Sequence, residues 1–501
     1  MITPRLRWLA VAALCAAVAP ALSAQQTEAE RLQSEIKQLR AEVETLKNVR
    51  SQGGEESPEL KTTLKSNFFS WSTEDGNFSL VMSNWIQFRL TYNDERAQDS
   101  EGPSDPNSAI ASNGRDFWNF RVTRANTMFR GNIFSKEWKY FVNLNWTNGG
   151  DNILWEAYLT WAKYKEFNVS AGQTKVPFNY EFMYGFAAKC QLVEGSIASD
   201  TFNQGWGKGL WLSGAIGDDQ RTWIKYVVGI FNGVLRGSND FRNQDRAINS
   251  DTFSNTVDAD LMPALRIETH PLGNVADDMV DMRGEDTYNK VLFSVGFGMN
   301  WLISRFNNAA LRPGAITGAG SGRFATGQDT IAITLDGHFR WHGLSVNLAW
   351  YHRHTEFHNF GPLQGNGVTR GRAFPGDLTD NAVTFEVGYF ILPKKFDVGV
   401  RWAMIDSDEF WLGGASTKRN ALRPDSTEMG LVVGYYLLGH NLKFQADFTY
   451  ITYQLAVAAG TVPTNAPAGQ GMPSRSAGSI ANDQSDYWNI WQFRLQIQWM
   501  F

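Results

Sequence analysis

The chain ends in IWQFRLQIQWMF, residues 490–501, where large apolar side chains alternate with polar ones. Successive side chains of a β-strand point to opposite faces, so one face of this strand is apolar and the other polar. The apolar face carries Trp491, Phe493, Leu495, Ile497, Trp499 and Phe501, and the polar face carries Gln492, Arg494, Gln496 and Gln498. Tryptophan near both ends of the apolar face is typical of a membrane barrel, in which lipid covers one face, water wets the other and aromatic residues mark both interfaces.

The composition of the whole chain fits this class. Of 501 residues, 13% are aromatic and 43% hydrophobic. A helical membrane protein would show runs of about 20 apolar residues, and the sequence contains none. The net charge of −5 is spread along the chain. This argues against a nucleic-acid partner, because phosphate binding needs a concentrated basic surface.

Residues 1–24 have the features of a secretory signal peptide. Arg5 and Arg7 precede a short apolar core, LAVAALCAAVAPAL, and the sequence LSA then places a cleavage site after Ala24. Cys15 lies in this core, so the mature chain would keep Cys190 alone. We therefore expect export through a bacterial inner membrane, with no intrachain disulfide and no cysteine-based metal or redox motif.

Residues 25–50 form a heptad pattern. Its apolar positions are Leu32, Ile36, Leu39, Val43 and Leu46, spaced alternately by four and three residues. This spacing predicts a periplasmic coiled-coil helix that self-associates, with a solitary amphipathic helix as the alternative. Residues 51–66 begin with SQGGEESPEL and are predicted to be a linker, because their glycine and proline residues break the helix.

Alternating segments recur from residue 78 onward, with no interruption long enough to be a helix. They predict an all-β fold over residues 67–501, a transmembrane antiparallel β-barrel of about 16 strands. The predicted strands are residues 78–92, 117–130, 137–147, 153–162, 166–174, 208–216, 221–232, 258–270, 288–302, 328–341, 343–354, 381–391, 395–405, 427–438, 440–454 and 488–501.

The lengths of the connections support the barrel. Even-numbered connections are mostly short and odd-numbered ones mostly long, as in outer-membrane barrels with short periplasmic turns and long external loops. The exceptions are a short third connection, TNGG, and a long eighth one, residues 271–287. An even strand number places both ends in the periplasm, and lipid and the first strand would cover the last strand. In known barrels the outer-membrane insertion machinery reads a terminal phenylalanine, so Phe501 predicts that partner.

Motifs between residues 120 and 214 resemble the phosphate-selective porin O/P family of the bacterial outer membrane. They are FRVTRANTMFRG (120–131), Glu156-Ala157-Tyr158, GQTKVPF (172–178) with Glu181, and the segment LVEGS around Gly195. The resemblance covers most of the mature chain. It implies a homotrimer in the outer membrane, passive diffusion of anions such as phosphate, and a third external loop that folds inward to narrow the pore.

The chain differs from the family pattern at several arginine positions. Gly195 stands where the family has an arginine, the Trp206–Lys208 region replaces another, and RVTRAN replaces a denser arginine run. These changes leave the pore less basic. Two alternatives therefore stay open: a general porin, or one that admits cations or sugars, on the same barrel, and a non-conducting structural or adhesion barrel.

Channels select ions through like charges that face the lumen. The side-chain phase of the strands and the third loop (175–207) supply the candidates, with Arg124 out of phase unless a β-bulge precedes it. The candidate anion-attracting residues are Arg89, Arg121, Arg124, Lys175, Lys189, Lys208, Lys225, Arg266, Arg340, Arg353, Arg401, Lys443 and Arg494. The same phase turns acids inward, which could neutralise these cations as cross-strand pairs. These acids are Glu156, Glu268, Asp336, Glu386, Asp397 and Asp447.

Other motifs carry little chemistry. His352, His354, Glu356 and His358 share one strand face and could suit a metal, but they lie where a strand enters an external loop, so a polar rim is the simpler interpretation. No spacing picks out a serine–histidine pair with an orienting group. We therefore expect no metal, no cofactor and no enzymatic activity.

Overall fold

A computed structural model of the chain describes residue 37 and residues 60–65, 68–98, 115–147, 153–185, 187–218, 221–232, 261–275, 277–283, 285–304, 327–358, 378–407, 425–454 and 487–501. The predicted signal peptide (1–24) and coiled-coil segment (25–50) lie outside these residues, apart from Lys37, which is helical. Within the described ranges, no helix is both long and apolar enough to cross a membrane.

The described chain from residue 60 onward is almost entirely β-structure. Its strands are β1 (Leu60–Lys65), β2 (Phe68–Thr73), β3 (Ser79–Gln98), β4 (Arg115–Asn132), β5 (Trp138–Asn145), β6 (Leu154–Trp161), β7 (Asn168–Lys175), β8 (Trp206–Gly217), β9 (Thr222–Asn232), β10 (Leu261–Thr269), β11 (Leu292–Ser304), β12 (Gly327–Trp341), β13 (Leu344–His358), β14 (Leu378–Leu392), β15 (Phe396–Ser407), β16 (Ser426–Tyr436), β17 (Leu442–Gln454) and β18 (Tyr487–Met500). Short helices span Ile197–Phe202 and Glu285–Tyr288, and a π-helical turn spans Glu181–Gly185.

Strands β3 to β18 form a closed barrel. Each pairs antiparallel with its neighbours in sequence, and β18 returns to pair with β3, with Leu495 opposite Leu90. Beyond the last strand residue, the Phe501 amide donates to the Asn84 carbonyl, and the Asn84 amide donates to the Phe501 carbonyl. The predicted barrel of about sixteen strands is confirmed. Strand β2 lies beside β3, and β1 falls within the predicted linker (51–66).

The barrel has an apolar outside and a polar inside. On β18 the inward residues Arg494, Gln496 and Gln498 are at most 6% exposed, whereas the outward Trp491 and Leu495 are each 41% exposed. Among the described residues, buried polar and charged side chains outnumber buried apolar ones. This is the reverse of a soluble protein, and the exposed apolar surface far exceeds the patch that a soluble monomer shows.

A β-bulge corrects the side-chain phase of β4. Arg121 lies opposite Arg89, and Arg124 lies opposite Gln87, with the register shifting between these pairs. Residues three apart on a regular strand point to opposite faces, but the extra residue of a bulge lets both face inward. The break in phase at Arg124 thus marks a real irregularity, and both arginines share the lumenal register.

An arginine substituted on the outer wall tests whether lipid covers that wall. Leu495, midway along β18, and Leu438, in the turn after β16, are 41% and 61% exposed. We expect Leu495→Arg to lower the free energy of unfolding by about 2–4 kcal/mol and Leu438→Arg to cost about 0–1 kcal/mol, because the cost of a charge in lipid falls towards the interface. Urea unfolding in lipid vesicles measures both. Equal, small losses would contradict a lipid-covered wall.

Candidate functional site in the barrel lumen

Residues 176–185 and 187–205, here called the inner loop, come between β7 and β8 and lie inside the barrel. Phe178, Leu192, Val193 and Phe202 of this loop are all 0% exposed. Phe178, Ala198 and Phe202 pack against Tyr351 and other inward residues of β12 to β15. The inner loop therefore covers one side of the lumen wall.

Wall side chains bind the backbone of the inner loop at many points. Inward arginine and glutamine residues donate to its carbonyl oxygens at 2.7–3.2 Å. The donors and acceptors are Arg266 to Phe178, Arg353 to Thr201, Arg401 to Glu194 and Gly195, and Gln445 to Cys190 and Gln191. In the opposite sense, the Val193 amide donates to Asp447 and the Ile197 amide to Glu428. Several predicted lumenal charges thus hold the loop.

The loop helix is fixed by local side chains. The Ser196 hydroxyl accepts from the Ser199 amide and caps the helix Ile197–Phe202. The Glu181 carboxylate accepts from the amide and the hydroxyl of Ser196 at 2.5 and 2.7 Å. Burial raises the pKa of Glu181, although Arg401 and these hydrogen bonds oppose the shift.

The wall beneath the loop is lined with glycine where the two surfaces touch. A Cβ atom added at Gly388 or Gly399 would lie 1.8 or 2.4 Å from the side-chain nitrogen of Gln191. That nitrogen donates to the Asp397 carboxylate at 3.2 Å. The glycines of β14 and β15 therefore allow the loop to lie directly on the sheet.

Residues 270–283, here called the inner turn, enter the lumen from the opposite end of the barrel, between β10 and β11. Its residues Val275, Met279 and Val280 are buried. Inward side chains hold it as they hold the inner loop: Asn347 donates to the Met279 carbonyl at 2.9 Å, and Arg340 to the Asp278 carbonyl at 2.7 Å. The unusual length of the eighth connection was the signal for this element.

The inner loop and the inner turn meet inside the barrel. The Tyr180 hydroxyl lies 3.3 Å from the backbone nitrogen and oxygen of Asp278, and the Tyr180 ring stacks on His338 with centroids 3.7 Å apart. The Lys189 ammonium group donates to the Asp277 carbonyl at 2.6 Å. Segments from both ends of the barrel thus contact each other inside it.

Most arginines of the covered wall form ion pairs. Arg494 bonds Asp447 directly across from it at 2.7 and 2.6 Å, and Arg353 bonds the opposing Asp380 at 2.8 Å. Arg266 bonds Asp336 two strands away, because Gly296 lies between them and a Cβ there would meet both side chains within 2.4 Å. Arg401 bonds Glu428 and lies 3.6 Å from Glu386. The covered wall is therefore close to neutral.

Glu194 of the inner loop lies between two guanidinium groups. Arg89 donates to it at 2.5 Å, and Arg124 does so through both terminal nitrogens at 2.8 Å. The Arg124 group also lies 5.9 Å from the centre of the Trp85 ring. Burial alone would raise the pKa of Glu194, but Arg124 and Arg89 hold it well below its usual value. This carboxylate was not among the predicted site residues, although it lies in the motif LVEGS.

The remaining predicted cations occupy different environments. The Arg121 side chain is exposed in the lumenal register, and Lys189 and Lys225 are partly exposed. Lys443 is buried, and the Lys175 ammonium group donates to the Met183 carbonyl at 3.0 Å. Lys208 lies two residues before Leu210, which is 64% exposed, so strand alternation places it in the outward register. This differs from a lumenal position.

The histidine-rich segment of β13 lies on the outer face. His352 and His354 alternate with the inward residues Tyr351 and Arg353, and they contact Asn381 and Thr379 at 2.9 and 3.3 Å. In the part of the chain that the structure describes, no group of three or more His, Cys, Asp or Glu side chains is arranged to hold a metal ion. Cys190 is buried in the inner loop, and burial raises the pKa of its thiol to about 12.

No family model matches the chain, and no curated protein matches it. Solved structures align with it over most of their length at low identity. The anion-selective porin from Comamonas acidovorans has a TM-score of 0.46 and 10% identity, covering 84% of this chain and 99% of its own. OmpT of Vibrio cholerae has a TM-score of 0.46 and 10% identity (84% and 98%). The outer membrane channel DcaP of Acinetobacter baumannii has a TM-score of 0.45 and 9% identity (86% and 99%).

Removal of the Glu194 charge tests its role as an anchor. We expect Glu194→Gln to lower the free energy of unfolding at pH 7 by about 1–3 kcal/mol, since the buried Arg89 and the partly buried Arg124 lose their counter-charge. The pKa of Glu194 is lowered on folding, so its contribution exists above the unfolded value of about 4.3 and is lost as the pH falls through the folded value. Urea unfolding of the wild type at a series of pH values should show this acid loss, and the variant should lack it.

The exposed pair of Glu137 and Lys163 provides a control. Their charged atoms lie 3.6 Å apart, and both side chains are more than 40% exposed. Glu137→Gln should change the stability by less than about 1 kcal/mol, as surface ion pairs do. An acid profile of Glu194→Gln that matches the wild type would contradict the proposed anchor.

Proposed function

We propose that this protein is an outer-membrane porin that lets small hydrophilic solutes diffuse passively, with a preference for anions. The observation that carries the proposal is the closed barrel with an apolar outer face and charged residues along the lumen. A closed barrel satisfies every strand hydrogen bond without water, which is the condition for crossing lipid with β-strands. Sixteen strands enclose enough space for an aqueous channel.

The inner loop and the inner turn support a size limit on the solutes. Both are held to the wall by hydrogen bonds, and they meet at Tyr180, Lys189 and the Asp277–Asp278 backbone. The inner loop packs on β12 to β15, and its residues Val176 and Ala187 also pack on β3, β6, β8 and β9. The passage would therefore run through the space that the loop leaves open, beside the partly exposed Lys225 and Asp277. Its cross-section would be set by both elements rather than by the third loop alone.

The anion preference rests on the charges that remain accessible in the lumen. The wall supplies the exposed Arg121 and the partly exposed Arg124 and Lys225, and the inner loop supplies the partly exposed Lys189. The facing acids include Glu194 and Asp277, whose side chains are 26% and 42% exposed. The excess of cations in a narrow, water-filled passage attracts anions. The resemblance to phosphate-selective porins points to phosphate as one such anion.

A weakly selective porin is the second candidate. It is favoured by the pairing of Arg266, Arg353, Arg401 and Arg494 with carboxylates, which removes most of the lumenal positive charge. Gly195 also supports it: this residue stands where the phosphate-selective family has an arginine, and a Cβ there would already lie 3.0 Å from Glu181.

A homotrimer is proposed as the assembled form. The heptads of residues 25–50 support self-association, although their a and d positions favour a dimer. The subunit number of three rests on the resemblance of the motifs. The outer face of β4 supports self-association, since Trp118 and Phe120 are 63% and 66% exposed there. Native mass spectrometry of the detergent-solubilised protein measures the subunit number directly, and a monomer would contradict the proposal.

Reconstitution of the purified protein in a planar bilayer tests the function. Under the proposal, discrete conductance steps appear. In a KCl gradient the reversal potential then has the sign of chloride selectivity. A reversal potential near zero would instead favour the weakly selective porin, and a potassium-selective sign would contradict the anion preference. Folded protein without conductance would identify a structural or adhesion barrel.

Arg121 and Lys208 form a matched pair for the charge argument, because only Arg121 has the lumenal register. We expect Arg121→Gln to lower the chloride-to-potassium permeability ratio by up to about five-fold, since a charge a few ångströms from a permeating ion is worth on the order of 1 kcal/mol in water. Lys208→Gln should leave the ratio unchanged. Reversal potentials in a KCl gradient measure the permeability ratio of both variants. Equal changes in the two ratios would mean that the effect does not depend on whether the side chain faces the lumen.

A further inference from the structure

Asp277 is the acidic side chain that the inner turn presents to the open part of the lumen. Its carboxylate accepts from the Lys225 ammonium group at 2.7 Å, and its backbone carbonyl accepts from the Lys189 ammonium group at 2.6 Å. Lys225 belongs to the barrel wall and Lys189 to the inner loop. The wall and the inner loop therefore both contact Asp277 of the inner turn, the wall at its carboxylate and the inner loop at its backbone carbonyl.

This ion pair is more accessible than those of the covered wall. The Asp277 and Lys225 side chains are 42% and 23% exposed, whereas those of Arg494 and Asp447 are 8% and 0% exposed. A buried pair cannot exchange partners without leaving a charge unsatisfied. A partly exposed pair is in contact with water and contributes little free energy on its own. Another anion can therefore replace its carboxylate.

The surroundings of the Asp277–Lys225 pair also favour replacement of the carboxylate by another anion. The Tyr184 ring lies 5.7 Å from the Lys225 ammonium group and holds it towards the inner loop. Asp277 follows the covered residue Val275 and precedes Asp278, which is fixed by His440 at 2.8 Å. The backbone of the inner turn is thus anchored on its C-terminal side, while the Asp277 carboxylate reaches into the passage.

We propose that Asp277 determines the anion selectivity of the channel by acting as a tethered anion on Lys225. With its carboxylate in place, the Lys225 ammonium group is partly neutralised. A small anion that enters the passage takes over the Lys225 ammonium group as the carboxylate swings into water. The proposal rests on the proposed porin function, and it makes the inner turn part of the selectivity filter.

Substitution of Asp277 removes a negative charge next to Lys225 and should therefore increase the preference for anions. Asp277→Asn keeps the shape of the side chain but frees Lys225, so the chloride-to-potassium permeability ratio should rise by about two- to five-fold. Lys225→Met should lower the ratio. In the Lys225→Met background, Asp277→Asn should raise the ratio by less than it does in the wild type, because the two side chains act on each other.

Asp75→Asn is the matched control. Asp75 lies in the exposed turn between β2 and β3, where its carboxylate accepts from Thr73 and Asn77. Asparagine can keep such turn hydrogen bonds, so this variant removes the same charge far from Lys225. Its reversal potential should equal that of the wild type.

Reversal potentials in a KCl gradient, with folding of each variant checked by its heat-dependent migration in gels, separate the outcomes. A wild-type protein that does not conduct overturns the proposed function and the inference with it. A conducting wild type whose Asp277→Asn variant behaves like Asp75→Asn overturns the inference alone. If Asp277→Asn fails to fold, Asp277→Ser and the Lys225→Met variant carry the same comparison, and unchanged selectivity in both overturns the inference.

Discussion

The hydrogen-bonded seam between β18 and β3 is the constraint on which this structure depends. An open edge cannot be tolerated where no water is available to satisfy it, so the last strand must pair with the first along its length. The pairing continues to Phe501, whose backbone bonds Asn84 in both directions. Once the sheet is closed, each strand has one face outside and one inside, and the alternation of residues such as Leu495 and Gln496 follows.

A closed barrel then creates a second problem, because its inward charges need partners at low dielectric. Arg401 shows how the chain solves this problem: its side chain bonds Glu428 on the next strand and two carbonyl oxygens of the inner loop. The same bonds that satisfy the charge also attach the loop to the wall. In this lumen the same side chains therefore pair the charges and attach the loop to the wall. The number of inward arginines reflects how the loop is anchored more than how strongly the lumen attracts solutes.

The strands were predictable because the alternation of side chains is a local property of the sequence. The ion-pair partners of the charged residues were not predictable from the sequence. Period-two alternation and connection length locate all sixteen barrel strands, and the break in phase at Arg124 indicates its bulge. Pairing depends on register across the sheet: Arg266 reaches Asp336 only because Gly296 lies between them. Glu194 and Asp277 come from connections, where no periodicity gives a direction. Lys208 lies in a strand that begins inside the predicted loop, so the loop gave no side-chain direction for it.

In the proposed channel, the meeting of the inner loop and the inner turn changes which residues would control passage. If the third loop alone narrowed the lumen, its own cations would decide selectivity. Because the inner turn contacts the inner loop, a carboxylate from the opposite end of the barrel lies 2.7 Å from Lys225. Local potential in a narrow passage depends on the nearest unscreened charges. Under the proposed function, a few exposed groups at this junction would therefore affect a permeating ion more than the larger number of paired arginines on the wall.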